Sequence, residues 1–137
     1  MSVLTIRIPG EIRGKGRPKF STRGGFARAY TDAKTANAET WIKSCAIEQV
    51  GQPVLEGALA ISITVCVGIP QSWPKGKKAC ALAGEIRPTA KPDWDNIGKL
   101  LCDSLNGIVW KDDAQITDVT FSRRYGELPG AVLTVAQ

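Results

Sequence analysis

The clearest pattern in the chain lies at Leu59 to Val67. Leu59, Ile61, Ile63, Val65 and Val67 alternate with Ala60, Ser62, Thr64 and Cys66. A period of two sends successive side chains to opposite faces, so the segment predicts a half-buried strand that ends at Gly68 to Pro70. Val3 to Ile8 has the same period, with Leu4, Ile6 and Ile8 on one side and Thr5 and Arg7 on the other; Pro9 and Gly10 close it. Residues 11–30 are rich in glycine and arginine and read as loop with short strand pieces.

Helical spacing appears twice. Thr31 is a good N-cap with Asp32 in the first turn, and Ala38, Trp41, Ile42, Cys45 and Ala46 then share one face of a helix running to about Gln49. Gly51, Gln52 and Pro53 stop it. Ile97, Leu100, Leu101 and Leu105 form the apolar stripe of a second helix, from about Asn96 to Leu105, stopped by Asn106-Gly107. Between these helices, residues 75–83 allow a shorter one. Val119, Phe121 and Tyr125 mark one late strand and Val132 to Val135 another, with Gly126 to Gly130 turning between them. The expected architecture is a single small α+β domain over residues 1–137, with a mixed β-sheet, two main helices and the order β-α-β-α-β-β. A domain of this size buries a limited share of its surface, which favours a homodimer.

Composition narrows the chemistry. The chain has 137 residues, a net charge of +5, four cysteines and no histidine. Without histidine, Ser-His-Asp and Cys-His mechanisms are excluded. Cys45, Cys66, Cys80 and Cys102 form no CxxC pair, so a classical zinc site has no ligand pattern. Cys66 and Cys102 fall in apolar segments and read as reduced core residues. No signal-peptide core and no membrane span is apparent, so a cytoplasmic protein is expected.

The charges are segregated. Seven basic residues and one acid, Glu11, lie from Arg7 to Arg28, whereas six aspartates lie from Asp93 to Asp118. The basic part suits a polyanion and the aspartates a hard cation. Pro92 biases Lys91 away from helix, so residues 91–95 are expected to be extended. Asp93 and Asp95 would then point to one side, with Trp94 turned into the core. Converging like charges call for a divalent cation such as Mg²⁺. Lys99 lies one helical turn beyond Asp95, able to orient the acids or meet a phosphate. Asp112 and Asp113 precede a strand, from which a side chain can swing back toward the pair. Aspartates two apart also cap helix N-termini. Spacing alone leaves that reading open, and Asp103, four residues after Lys99, fits an ordinary ion pair.

Read whole, KPDWDNIGKLLCDSLNGIVWKDDAQITDVTFSRRYGE closely resembles the signature of the RusA family of crossover-junction endodeoxyribonucleases. The matching residues are Asp93, Asp95, Asn96, Lys99, Trp110, Asp112, Asp113, Ala114 and Gln115. PQSWPKGKK and GKGRPKF followed by Ala29-Tyr30-Thr31 extend the likeness over about residues 14–127. The resemblance implies a homodimer that makes paired nicks in four-way DNA junctions with Mg²⁺ or Mn²⁺, in a family often carried by prophages. It implies Asp93, Asp95 and Asp113 as catalytic metal ligands, with Asp112 the other candidate for the third position, and Lys99 as the match to the family's important catalytic lysine.

Lys15, Arg17, Lys19, Arg23 and Arg28, with Phe20 and Phe26 interleaved, are candidate DNA contacts, as are Lys75, Lys77 and Lys78 near Trp73. Arg123 and Arg124 read as half structural, and Trp41, Trp94 and Trp110 as core. Two other readings use the same residues: a junction-binding protein that has lost cleavage, and a small nucleic-acid-binding regulator that uses only the basic arms.

Overall fold

The structure is a computed structural model that describes residues 3–12, 19–21, 28–30 and 33–137. Among these residues, six strands and three helices run in the order β1 (Val3–Pro9), β2 (Lys19–Ser21), β3 (Arg28–Tyr30), α1 (Ala33–Val50), β4 (Leu59–Gly68), α2 (Lys75–Leu82), α3 (Trp94–Leu105), β5 (Ile116–Gly126) and β6 (Gly130–Ala136). The expected α+β class and mixed sheet are present. To the expected order of main elements the structure adds a β2–β3 ribbon and the short helix α2, where the sequence allows short strand pieces and a shorter helix. The ribbon strands are three residues each, too short to carry a readable period.

The main sheet has the order β1-β6-β4-β5. β6 pairs antiparallel with both β1 and β4, and β4 pairs parallel with β5. A parallel neighbour needs a crossover, and α2 and α3 supply it. Alternation decides which face is covered. Leu59, Ile61, Ile63 and Val65 of β4, Ile6 and Ile8 of β1, and Ala131, Leu133 and Val135 of β6 are buried on one face. Against it pack Ile42, Cys45 and Ala46 of α1 and Ile97, Leu100, Leu101 and Leu105 of α3.

Element ends follow local chemistry. Gly51 ends α1 at φ +71, where its N–H reaches Ile47 O at 2.9 Å. Gly107, at φ +80, turns the chain after α3 so that its N–H meets Trp110 O at 2.7 Å. Trp110 is fully buried and its indole N–H donates to Asn106 Oδ1 at 2.6 Å.

The three tryptophans assigned to the core divide. Trp110 belongs there, but Trp41 is 50% and Trp94 59% exposed. Trp41 lies at the margin of α1 and its N–H donates to Pro9 O at 2.9 Å. Trp94 occupies the first position of α3 above the edge strand β5, where Phe121 is its ring neighbour at 6.3 Å. Thr31 and Asp32, the expected cap of α1, lie outside the described residues. Among those described, no helix is long and apolar enough to cross a membrane, and all four cysteines are free thiols.

Candidate active site

The segment before α3 is not the alternating strand expected. Asp93 is the N-cap, with extended φ and ψ; its Oδ1 accepts from Asn96 N at 3.3 Å and its carbonyl from Ile97 N at 3.1 Å. Asp95 already stands in the first helical turn. The capping role open to the pair is therefore the one Asp93 plays, and it suits the dipole as well as the unpaired N–H groups. At 3.6 residues per turn, Asp95, Gly98, Lys99 and Cys102 then share one side of α3.

The Asp112-Asp113 segment is held from several directions. Asp112 caps a single 3₁₀ turn, Asp113–Gln115, through a bond from Ala114 N to its Oδ1 at 3.3 Å. Gln115 accepts from the N–H groups of Lys111 and Asp112, both at 2.9 Å. Its amide donates to Leu55 O and Gly57 O at 2.9 and 3.0 Å, which fixes the turn to the entry of β4. β5 starts immediately afterwards.

These two supports bring Asp95, Lys99 and Asp113 to one cavity of about 160 Å³, although they are 18 positions apart in sequence from first to last. Ile61, Ile63, Val119 and Phe121 supply its apolar floor, and Trp94, Gly98 and Cys102 the rest of the wall. Asp93 is one step outside this lining, and Asp112 points its carboxylate into the cap. Among the described residues, no three Asp, Glu, Cys or His side chains lie together as a group that could hold one metal ion.

Electrostatics single out Asp113. Partial burial, then Asp112 and Asp103, raise its pKa above the ordinary carboxylate value. Burial, reinforced by Asp113 and Asp103, pushes the Cys102 thiol up to about 11. Asp103, expected only as a partner for Lys99, is thus part of the negative environment of this cavity. Its place four residues after Lys99 and eight after Asp95 sets it on that side of α3, a spacing that fits an ordinary ion pair equally well.

Of the candidate DNA contacts, Lys75, Lys77 and Lys78 lie in α2, which has no acid in its first turn. Lys77 Nζ stands 4.0 Å from the Trp73 ring centre, and Trp73 meets Tyr125 edge-on at 5.2 Å. Lys19 and Arg28 fall in the paired ribbon β2–β3. Lys15, Arg17 and Arg23 lie outside the described residues.

Fold and cavity together define a small α+β protein with carboxylates and a lysine gathered between a helix and the edge of a mixed sheet. The family model described as Endodeoxyribonuclease RusA matches residues 9–136, and the chain belongs to that family of endodeoxyribonucleases. It is also similar to the uncharacterized protein YqaN of Bacillus subtilis (strain 168). The two are 32% identical over 131 residues, 94% of this chain and 92% of that protein.

Proposed function

We propose that the protein is a Holliday junction resolvase, a Mg²⁺-dependent endonuclease that makes paired, symmetric nicks in four-way DNA junctions during recombination, repair or phage DNA processing. The observation that carries this reading, beside the family, is the meeting of Asp95, Lys99 and Asp113 at one cavity.

The donor set fits a hard cation. Carboxylate oxygens are the ligands Mg²⁺ prefers, and Mg²⁺ keeps several waters, so two or three protein carboxylates suffice. Asp95 and Asp113 are the two carboxylates that line the cavity. Asp93 bonds the helix through Oδ1 and has a second oxygen to offer. Asp112 has its carboxylate engaged in the cap, which supports Asp113 as the third ligand. The pKa of Asp113 is raised first by burial and then by Asp112 and Asp103, and a divalent cation offsets that neighbouring negative charge. When bound, such a cation supplies charge neutralisation at phosphate and a more acidic water; Mn²⁺ is expected to substitute.

The chain's own groups do the rest. Lys99 presents an ammonium beside the acids to a phosphate oxygen. Partial burial of the cavity strengthens its electrostatics relative to open water. Lys15, Arg17, Lys19, Arg23 and Arg28, with Lys75, Lys77 and Lys78, hold the DNA backbone. A homodimer presents two such sites to the two equivalent strands of a junction.

The test is a labelled four-way junction incubated with and without Mg²⁺. Paired symmetric nicks that require the cation are expected. Asp95→Asn is expected to abolish nicking while junction affinity survives. Tight binding with no nicking at any metal concentration would instead establish a silent junction-binding protein.

A further inference from the structure

Arg123 is central to a set of hydrogen bonds that the proposed chemistry leaves unused. Its Nη1 donates to Ala90 O at 2.9 Å and to Pro92 O at 2.6 Å. Arg87, on the far side, donates from Nε and Nη2 to the carbonyl of Arg123 itself at 2.9 and 2.6 Å. The loop between α2 and α3 is thereby fastened to the middle of β5 twice, once through each arginine. The Arg123 side chain is half-buried and lines a second cavity of about 240 Å³ with Pro88, Ala90, Pro92, Ile97 and Tyr125.

The second acceptor matters most. The Pro92 carbonyl belongs to the peptide plane that ends at the nitrogen of Asp93, the N-cap of α3. Fixing that plane fixes where the helix begins and the direction in which Asp93 and Asp95 leave the backbone. The same strand carries Asp113 just ahead of its start at Ile116. β5 thus holds one acid at its beginning and, through Arg123, the segment bearing the other two at its middle.

We infer that Arg123, steadied by Arg87, is a positioning residue: it clamps the Pro92-Asp93 peptide to β5 and so keeps the acids of α3 in register with Asp113. The inference rests on the proposed nuclease reading for its consequence, though not for its geometry. An arginine suits the task because its planar fork holds direction, which a lysine ammonium does not. A charged donor to a carbonyl is also among the stronger protein hydrogen bonds.

The experiment compares wild type with Arg123→Ala and Arg123→Lys in amide hydrogen exchange and in single-turnover junction nicking. In Arg123→Ala, exchange of the Asn96 and Ile97 amides is expected to accelerate about tenfold or more while β4 amides keep their protection. Nicking is expected to slow by roughly 10- to 100-fold with junction affinity within about twofold, the scale of one charged hydrogen bond removed. Millimolar guanidinium, against a sodium chloride control of equal ionic strength, should recover part of the Arg123→Ala rate, and Arg123→Lys should remain slow. Unchanged exchange at Asn96 and Ile97 overturns the clamp whatever the nicking does. Altered exchange with full nicking overturns its role in positioning the acids. If wild type cuts no junction, the proposed function falls, and the exchange result still decides the clamp.

Discussion

At the scale of single residues, Asp113 carries a conflict between fold and chemistry. Its pKa is raised by burial first and by Asp112 next, so the folded protein holds its proton more tightly than the unfolded chain does. That stabilisation is complete below the ordinary value of 3.8 and is lost as pH rises through the raised value. Asp113→Asn keeps the shape and removes the charge. In the absence of divalent cations, the variant is expected to unfold at a higher temperature than wild type at pH 7, the difference vanishing below the ordinary carboxylate pKa. Added Mg²⁺ is expected to raise the midpoint of wild type and leave the variant unmoved, because an ion that binds only the native state stabilises only the protein that binds it. Nicking by the variant should fall about 100-fold or more, as expected when a proposed metal ligand is removed. Thermal scans of the two proteins across pH, with and without cation, decide the first two points, and junction nicking assayed side by side decides the third.

At the scale of elements, α2 is the piece whose exposed face is most plainly cationic. It spans eight residues with Lys75, Lys77 and Lys78, and Lys77 rests on the Trp73 ring. Replacing all three lysines by glutamine is expected to weaken junction binding. The slope of log affinity against log salt should also fall, by about one unit for each phosphate that is no longer neutralised. Anisotropy of a labelled junction, titrated without Mg²⁺ from about 50 to about 200 mM salt, measures it. An unchanged slope would mean these side chains are merely solvated. The elements were legible in proportion to their length. β4, with ten residues and strict alternation, stands at Leu59–Gly68, close to the Leu59–Val67 read from its pattern. α3 begins at Trp94 rather than Asn96, because an Asp-x-Asp spacing suits an extended segment and a capped helix equally well. The candidate site was legible as a set of residues and not as an arrangement. Spacing offered Asp95 and Lys99, and the family resemblance added Asp113, but their meeting depends on Gln115 tying the 3₁₀ turn to Leu55 and Gly57, some 60 positions away. Arg123 looked half structural, and its two carbonyl partners come from a loop that no periodicity describes.

At the scale of the whole molecule, Trp110 is the largest side chain fully enclosed by the core. It sits where the end of α3, the turn into β5 and the segment before β4 converge, with bridges from Trp110 to Leu55 and Asn106. Trp110→Ala is expected to cost about 3–5 kcal/mol, a cavity of that size having no neighbour able to fill it. Set against a total stability of roughly 5–15 kcal/mol for a domain, the variant stands near the edge of folding at 37 °C. Trp94→Ala, at a site more than half exposed, is expected to shift urea unfolding by less than about 1 kcal/mol. Equal losses at the two positions would contradict the division of the tryptophans between core and surface.

The strand order has a consequence for how the chain is made. β6 is the last of the described strands to leave the ribosome, yet it lies inside the sheet, between β1 and β4. Val3 finds its partner in Ala136, so the earliest of these strands waits for the latest. Until β6 emerges, β1 has no neighbour in the main sheet, and Ile6 and Ile8 have no strand to complete their burial. Such a nascent chain exposes apolar strand edges for most of its synthesis, the interval in which chaperones shield them. Closure of this sheet therefore waits for one short strand, which joins β1 to the β4–β5 pair on its two sides.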